Sequence, residues 1–340
     1  MTATIKDIAK RLGISVTAVS KALNDKDDIS DQLKIRVKKV AEELDYSANT
    51  IAKRLVTNKS NTLGVFMFSR VSQKLDSFVF QFIAGILEEA NKNDYDILLF
   101  STDSDLLNEK SYIKLCKERR VEGAVLFGVR LDDPHIDELK SSPLPISIID
   151  TDIEGKNIYY VSTDNRTGVN KAMDYLWRLG HRRIAMINGH EKAQVSKFRY
   201  NAFRQYLRER DSFESGLVFP GDFSQESGYY WGREILKMEQ RPTAVFAASD
   251  LMALGAIQAF KEAGLHLPHD MSIIGFDNLS SSEFVEPGLT TVSQDGIKMG
   301  KEAAKLLLDR IAGRGSEQKV VLQPELIIRD SCQSINQERG

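Results

Sequence analysis

No stretch of 18 or more consecutive apolar residues occurs in this 340-residue chain, and a helix needs about that many to cross a bilayer. No membrane partner is expected. The opening residues, MTATIKDIAKRLG, lack the long apolar core of a secretory signal, so the expected location is the cytoplasm. Cysteine is nearly missing. Cys116 and Cys332 stand far apart, and two distant thiols make neither a metal site nor a disulfide framework. The five histidines, His135, His181, His190, His266 and His269, show no metal-ligand spacing. His181, in LGHRR, reads as a helix exit ahead of a strand. No G-x-G-x-x-G follows a strand candidate, and neither a P-loop nor a G-x-S-x-G occurs. The chain is read as a non-enzyme without a cofactor.

What is present is a globular composition, 42% hydrophobic and 28% charged, on a length that suits two or three domains. Residues 1–60 hold 12 Lys and Arg against 8 Asp and Glu, whereas the whole chain has a net charge of −2. A basic head on an acidic body suits contact with phosphates, although so modest an excess also arises by chance.

The head carries a sharper pattern. Thr4 and Asp7 make a T-x-x-D helix start. Ile5, Ile8, Ala9 and Leu12 follow at helical spacing, and Gly13 can close that helix in the left-handed conformation. Ser15 can cap a second helix running through Val19, Ala22 and Leu23 to Asn24-Asp25. Ala9 lets the two helices approach, and Val19 packs back on the first. A third helix, capped by Ser30, sets Leu33, Val37, Val40, Ala41 and Leu44 on one stripe. Two short helices around a Gly turn, closed by a third, make a helix-turn-helix head. A small bundle for protein contact would fit the same periodicity. The exposed face of the second helix weighs against it, because Thr17, Ser20, Lys21 and Asn24 form hydrogen bonds and include no acid.

On TIKDIAKRLGISVTAVSKALN (4–24), IS (29–30) and YSAN (46–49), the chain resembles the LacI/GalR family of bacterial transcriptional regulators. The resemblance implies that the second helix enters the major groove. Val16, Thr17 and Lys21 then read bases: Val16 by apolar contact, Thr17 by either hydrogen-bonding sense, Lys21 at guanine O6/N7. Ser15, Ser20 and Asn24 become phosphate anchors that set register. Lys21 stands where relatives often carry Arg, and it lacks the planar fork of that residue. Ala18 stands where a phosphate-binding Thr is frequent.

Residues 49–55 suit one short helix capped by Asn49, too short to persist alone in water. The resemblance implies that it folds on the operator beside its dimer mate. Leu55 then wedges a base step in the minor groove, and Ala52 permits close approach. The Gly-Tyr-x-Pro-Asn usual in the family before this helix is replaced by Asp45-Tyr46-Ser47-Ala48-Asn49. An ordinary linker with Leu55 docked on the body is the alternative.

From Asn61 onward, apolar runs alternate with helical stretches. The runs are LGVFMF (63–68), DILLF (96–100), GAVLF (123–127), ISIID (146–150), RIAMI (183–187), AVFAA (244–248) and SIIGF (272–276). Continuous apolar strands with helical crossovers mean parallel sheets covered on both faces. The expected fold is an all-α helix-turn-helix head on an α/β body of two Rossmann-like lobes, resembling periplasmic sugar-binding proteins. The expected divisions are 1–48 for the head, 49–60 for the hinge, 61–330 for the body and 331–340 for a tail. Within the body, lobe 1 comprises about 61–162 plus 294–323, and lobe 2 about 163–293 plus 324–330.

Ligands of open α/β sheets bind beyond the carboxyl ends of the strands. Asp150, Ser249, Asp250 and Asp277 lie at such ends. Arg199 lies early in the helix after RIAMI, Phe223 follows Gly221-Asp222, and Phe78 opens the first body helix. These positions resemble the family's effector pocket. Their chemistry suits a sugar or sugar phosphate: carboxylates accept from hydroxyl pairs, Arg199 donates in pairs, and the phenyl rings cover a sugar's C–H face. Asp250 equally suits a helix cap, Ser249 a buried hydroxyl satisfied by backbone, and Phe78 plain core.

The resulting expectation is a homodimeric, sugar-responsive repressor on a pseudo-palindromic double-stranded operator. A corepressor-dependent or global catabolite regulator, a sugar-binding transport protein and a sugar-metabolising enzyme are the alternatives. The tail SCQSINQERG has no leucine heptad, which favours a dimer over a coiled-coil tetramer.

Overall fold

The computed structural model describes residues 3–46, 59–68, 78–102, 107, 109–315 and 317–335. The chain divides into two units at Ser60/Asn61. The assignments of Asn49, Ala52 and Leu55 lie outside the described residues.

The first unit is the three-helix head: α1 Ile5–Leu12, α2 Val16–Leu23 and α3 Asp31–Glu43. Each boundary has a local cause. The Asp7 carboxylate accepts from the Thr4 backbone N–H at 2.8 Å and the Thr4 hydroxyl at 2.7 Å. Gly13 ends α1 at φ +68°, a conformation that costs glycine nothing. Ser15 Oγ accepts from Ala18 N at 3.1 Å and starts α2. Ser30 occupies the N-cap of α3, but its side chain makes no capping bond; its conformation alone marks the boundary. Ile8, Ala9, Val19, Ala22, Val37 and Ala41 form the core, so each helix supplies two of the buried residues.

The second unit holds two six-stranded sheets. The first lobe contributes β1 Thr62–Phe68, β2 Asp96–Thr102, β3 Gly123–Phe127, β4 Ile146–Ile149, β5 Ile158–Thr163 and β11 Lys319–Leu322, in the order β11-β5-β4-β3-β1-β2. The second contributes β6 Ile184–Asn188, β7 Val218–Pro220, β8 Ala244–Ala247, β9 Ser272–Asp277, β10 Thr290–Ser293 and β12 Glu325–Ile327, in the order β12-β10-β9-β8-β6-β7. Every pairing among the described residues is parallel except β10 with β12.

The main covering helices are α4 Val79–Lys92, α5 Tyr112–Arg119 and α6 Ile136–Ser141 on the first lobe, and α7 Asn165–Arg178, α8 Gln194–Arg208, α9 Gln225–Leu236 and α10 Asp250–Glu262 on the second. The short α11 Ser281–Phe284 precedes β10, and α12 Gly296–Ile311 returns to the first lobe. Backbone proximity holds α12 there: a Cβ on Gly85 would meet the Ile297 carbonyl at 2.0 Å, and one on Gly300 the Phe82 carbonyl at 2.1 Å.

The chain therefore passes between the sheets three times: after β5, after β10 and between β11 and β12. Two of the flanking strands fall outside the expected runs. IYYVST in β5 and TTVS in β10 are buried almost throughout, and α12 packs on β5 and α7 on β10. Residues 331–335 are not a free tail. Ser331 is fully buried; its hydroxyl donates to the Ile273 carbonyl at 2.6 Å and accepts from Thr290 N at 2.8 Å. Ile335 N bonds the Leu179 carbonyl at 2.8 Å. This correction has a simple reason: the end of the chain supplies the hydrogen bonds that the margin of the second sheet lacks.

His181 locks the same segment. Its ring nitrogens meet Thr243 Oγ1 at 2.9 Å and the Gln333 carbonyl at 3.1 Å. Burial pushes its pKa down to about 4, with the Gln333 carbonyl opposing. The unfolded chain takes up that proton near pH 6.5, and the folded chain resists it until about 4. Stability should therefore fall as pH drops below 6.5, by roughly 1.4 kcal/mol per unit at most. Urea unfolding at pH 7 and pH 5 measures this, and His181→Asn should flatten the dependence.

Candidate functional site

Two places in the molecule gather the chemistry. The first is the outward face of α2. Val16 is 41% exposed, and Thr17 beside it is also exposed. Ser20 and Lys21 are partly covered. The Lys21 ammonium bonds the Asp28 carboxylate, so it is not the free cation that its position in the helix suggested. Asn24 donates its side-chain amide to the Ser20 carbonyl at 2.8 Å and thereby closes the C-terminus of α2. Ser15 is engaged as the N-cap, although its hydroxyl proton remains available to donate. Thr17 and Lys21 share one face, as positions four apart must, and Val16 lies beside them at the start of the helix.

The second place is the set of strand ends where the chain changes lobe. Arg199, in α8, is only 2% exposed. Its Nε donates to Asn165 Oδ1 at 2.7 Å and its Nη1 to the Ala248 carbonyl at 2.5 Å, while its guanidinium lies 3.7 Å from the centre of the Phe276 ring. Burial lowers its pKa, and Asp277, Asp150 and Asp250 counter that shift. Arginine nevertheless keeps its proton in proteins, so a fixed positive charge sits here. Asp150 follows β4 in the left-handed region at φ +68°, and its Oδ1 accepts from Ser162 Oγ at 2.6 Å. Burial raises its pKa, opposed by that hydroxyl and by Arg199. Asp277, ending β9 at φ +123°, accepts from Gln294 Nε2 at 2.7 Å. Burial pushes it up to about 8, with Arg199 the main opposing influence.

These bonds form a continuous path between the lobes. Asn165 Nδ2 donates to the Thr163 carbonyl at 2.9 Å, and Asn165 Oδ1 receives Arg199. Asn165 opens α7 after the first crossover; Gln294 lies in the second. The sequence reading missed both. Their signal was their position, polar side chains directly after strands at the points where the chain changes lobe. The lobes also meet through Leu131 N to the Lys192 carbonyl at 3.0 Å and Asp152 N to Gln194 Oε1 at 2.5 Å.

Several buried acceptors near these strand ends have no hydrogen-bond partner among the described residues: Asn188 Oδ1, Gln294 Oε1 and Asp152 Oδ1, with the Ser196 hydroxyl beside them in sequence at the start of α8. Phe223, at φ +70°, covers the end of β6; a Cβ on Gly189 would lie 2.0 Å from its ring. Phe78 is half-buried, with its ring centre 4.6 Å from that of Phe82 in the first-lobe core. Its edge lies 3.0 Å from where a Gly296 side chain would start.

Two of the expected residues are engaged within the protein. Asp250 is fully buried. Its Oδ2 accepts from Leu279 N at 2.8 Å and Ser282 Oγ at 2.6 Å, and its Oδ1 from Thr291 Oγ1 at 2.5 Å. It binds the protein's own backbone and hydroxyls. Ser249 caps α10, accepting from Met252 N at 3.3 Å, and is 3% exposed.

The profile described as "Bacterial regulatory proteins, lacI family" matches residues 4–49, and the profile described as "Periplasmic binding protein-like domain" matches residues 173–332. The HTH-type transcriptional repressor CytR of Escherichia coli is 34% identical over 98% of this chain and 97% of its own length. The chain belongs to the LacI family. The HTH-type transcriptional repressor PurR of Mannheimia succiniciproducens is 33% identical over 98% of this chain and 99% of its own. Among solved LacI-family structures, a transcriptional regulator CelR–cellobiose complex superposes with TM-score 0.74 at 29% identity, covering 97% of this chain and 99% of that one. The lac repressor dimer bound to operator and the anti-inducer ONPF reaches TM-score 0.84 at 24% identity, over 98% of this chain and 100% of that one, a likeness of fold. This LacI-family chain is thus a DNA-binding transcriptional regulator with a sugar-type effector body, and its relatives are repressors rather than enzymes. Among the described residues no helix is long and apolar enough to cross a membrane.

The two buried aspartates should behave differently when changed. Asp250→Ala strands three donors and should cost about 2–5 kcal/mol, read by denaturant unfolding. Asp277→Asn keeps the shape and an acceptor for Gln294, so it should unfold near the wild-type midpoint while losing effector response.

Proposed function

We propose that this regulator is a homodimeric repressor of carbohydrate-utilisation genes, released or retained on a pseudo-palindromic operator by an uncharged, hydroxyl-rich sugar held between the lobes. The observation that carries the reading is the Arg199 environment. One buried guanidinium, with two of its donors committed to Asn165 and Ala248, lies within electrostatic reach of three carboxylates. The unpartnered atoms of Asn188, Gln294 and Asp152 are all acceptors, and a polyol supplies many donors. Phe223 at the end of β6 offers an apolar face to a sugar ring. Two related regulators, CelR and a LacI-family protein of Enterococcus faecium, are described with bound cellobiose and ribose, both uncharged sugars.

Control of DNA binding follows from the wiring. A ligand that engages Asp277 and Arg199 acts on Gln294 and Asn165, which sit in two of the three crossovers. Any change in lobe angle is carried by those segments. The head reads DNA through Val16, Thr17 and Lys21, with Ser15, Ser20 and Asn24 on the backbone, and Asn49, Ala52 and Leu55 serve the hinge.

A thermal-shift screen of the purified chain against sugars, sugar phosphates and nucleosides tests the effector class, since a ligand of the folded form raises Tm. Uncharged sugars are expected to give the largest shifts; a preference for a phosphorylated sugar would overturn the reading. Arg199→Ala should abolish the effector response and spare operator binding, whereas Leu55→Ala should weaken operator binding and spare effector binding. Both are checked by gel shift with and without the screened sugar.

Affinity should also depend on pH. Ligand hydroxyls donating to Asp277 favour its ionised form, so binding releases a proton. Sugar affinity should rise with pH up to about 8, by at most about tenfold per unit, and level off above. Asp277→Asn should remove that rise, as measured by calorimetry in buffers of different ionisation heat.

A further inference from the structure

Lys21 is the single cationic side chain on α2, and it is bonded to Asp28 from the segment that leads into α3. The two side chains are 44% and 56% exposed. An exposed pair of this kind contributes at most about 1 kcal/mol to stability, so holding the head together does not explain it. The same segment carries two further acids in different circumstances. Asp25 accepts from Lys38 Nζ at 2.7 and 2.9 Å and ties the segment to α3. Asp27 is exposed and has no hydrogen bond or ion pair among the described residues.

A lysine ammonium is a point charge on a flexible four-carbon stem, free to seek any phosphate in reach. Phosphate contact gives grip without sequence information. Asp28 alters both properties at once. It cancels the charge that phosphates would see, and it fixes the position of Nζ. An ammonium has three donors; Asp28 takes one and leaves two for neutral acceptors such as guanine O6 and N7.

We propose that Asp28 is a positioning residue for Lys21, holding its ammonium for a base edge and withholding it from the DNA backbone. The pair gives up non-specific grip in exchange for specificity. This rests on the reading of α2 as the base-reading helix.

The test uses the full chain. Wild type selects duplexes from a randomised pool. Fluorescence anisotropy then compares a selected duplex with a scrambled one of the same composition, from about 50 to 200 mM salt. Asp28→Asn is expected to bind the scrambled duplex about 3- to 10-fold more tightly, with a log–log salt slope steeper by about 0.9. Its selected-to-scrambled ratio should fall, with base preference lost at the position that Lys21→Ala also relaxes. Asp28→Glu, which keeps the charge, should restore the ratio. An unchanged ratio in Asp28→Asn, or the same changes in Asp27→Asn, would overturn the proposal, the latter by showing that acid charge anywhere in the segment suffices. A wild type that selects no sequence would overturn the reading of α2 itself, and the proposal with it.

Discussion

A positive charge that cannot be removed is buried at the junction of the two lobes, and much of the body is arranged to tolerate it. A guanidinium does not shed its proton, so Arg199 needs partners on every side. Asn165 and the Ala248 carbonyl take its donors, Phe276 lies against its face, and Asp150 and Asp277 supply opposing charge. Because those partners come from both lobes and from a crossover, the requirement to satisfy one side chain ties together the places where the chain changes lobe.

Charge also explains why some nearby aspartates cannot do what their positions suggest. Asp250 stands at a strand end like Asp277, yet its three donors come from the protein itself. Gly275 makes room for it: a Cβ there would lie 2.1 Å from Asp250 Oδ1. Asp250 therefore fixes the 279–282 segment and β10, the strand that leads to Gln294. Asp277 accepts from Gln294 through one oxygen and is raised in pKa by burial. The two carboxylates thus differ: Asp250 is held by three donors of the protein, and Asp277 by the amide of Gln294.

The head and the body answer different physical demands. The head is small, with six buried residues in its core, and its boundaries depend on local caps and one left-handed glycine. Its one cation on α2 is already paired.

The sequence alone determined what depends on local pattern. The three head helices and the alternation of apolar strands and helices follow from spacing and from residues such as Thr4, Gly13 and Ser15, whose effects act within a few positions of themselves. Asp150 and Asp277 stood out as polar residues at the ends of apolar strands, and Arg199 as a cation early in the helix after β6. Tertiary structure decided what depends on partners far away in the chain. β5 is covered by α12 and β10 by α7, each from a distant part of the sequence. Asp250 and Ser249 turn inward because Leu279, Ser282, Thr291 and Met252 meet them there. Ser331 belongs to the second lobe because a sheet margin needed its hydroxyl. Asn165 and Gln294 gained their roles only when the crossovers brought them to Arg199 and Asp277. Hydrogen-bond pairing across long stretches of sequence has no period to read, so only the folded chain could assign it.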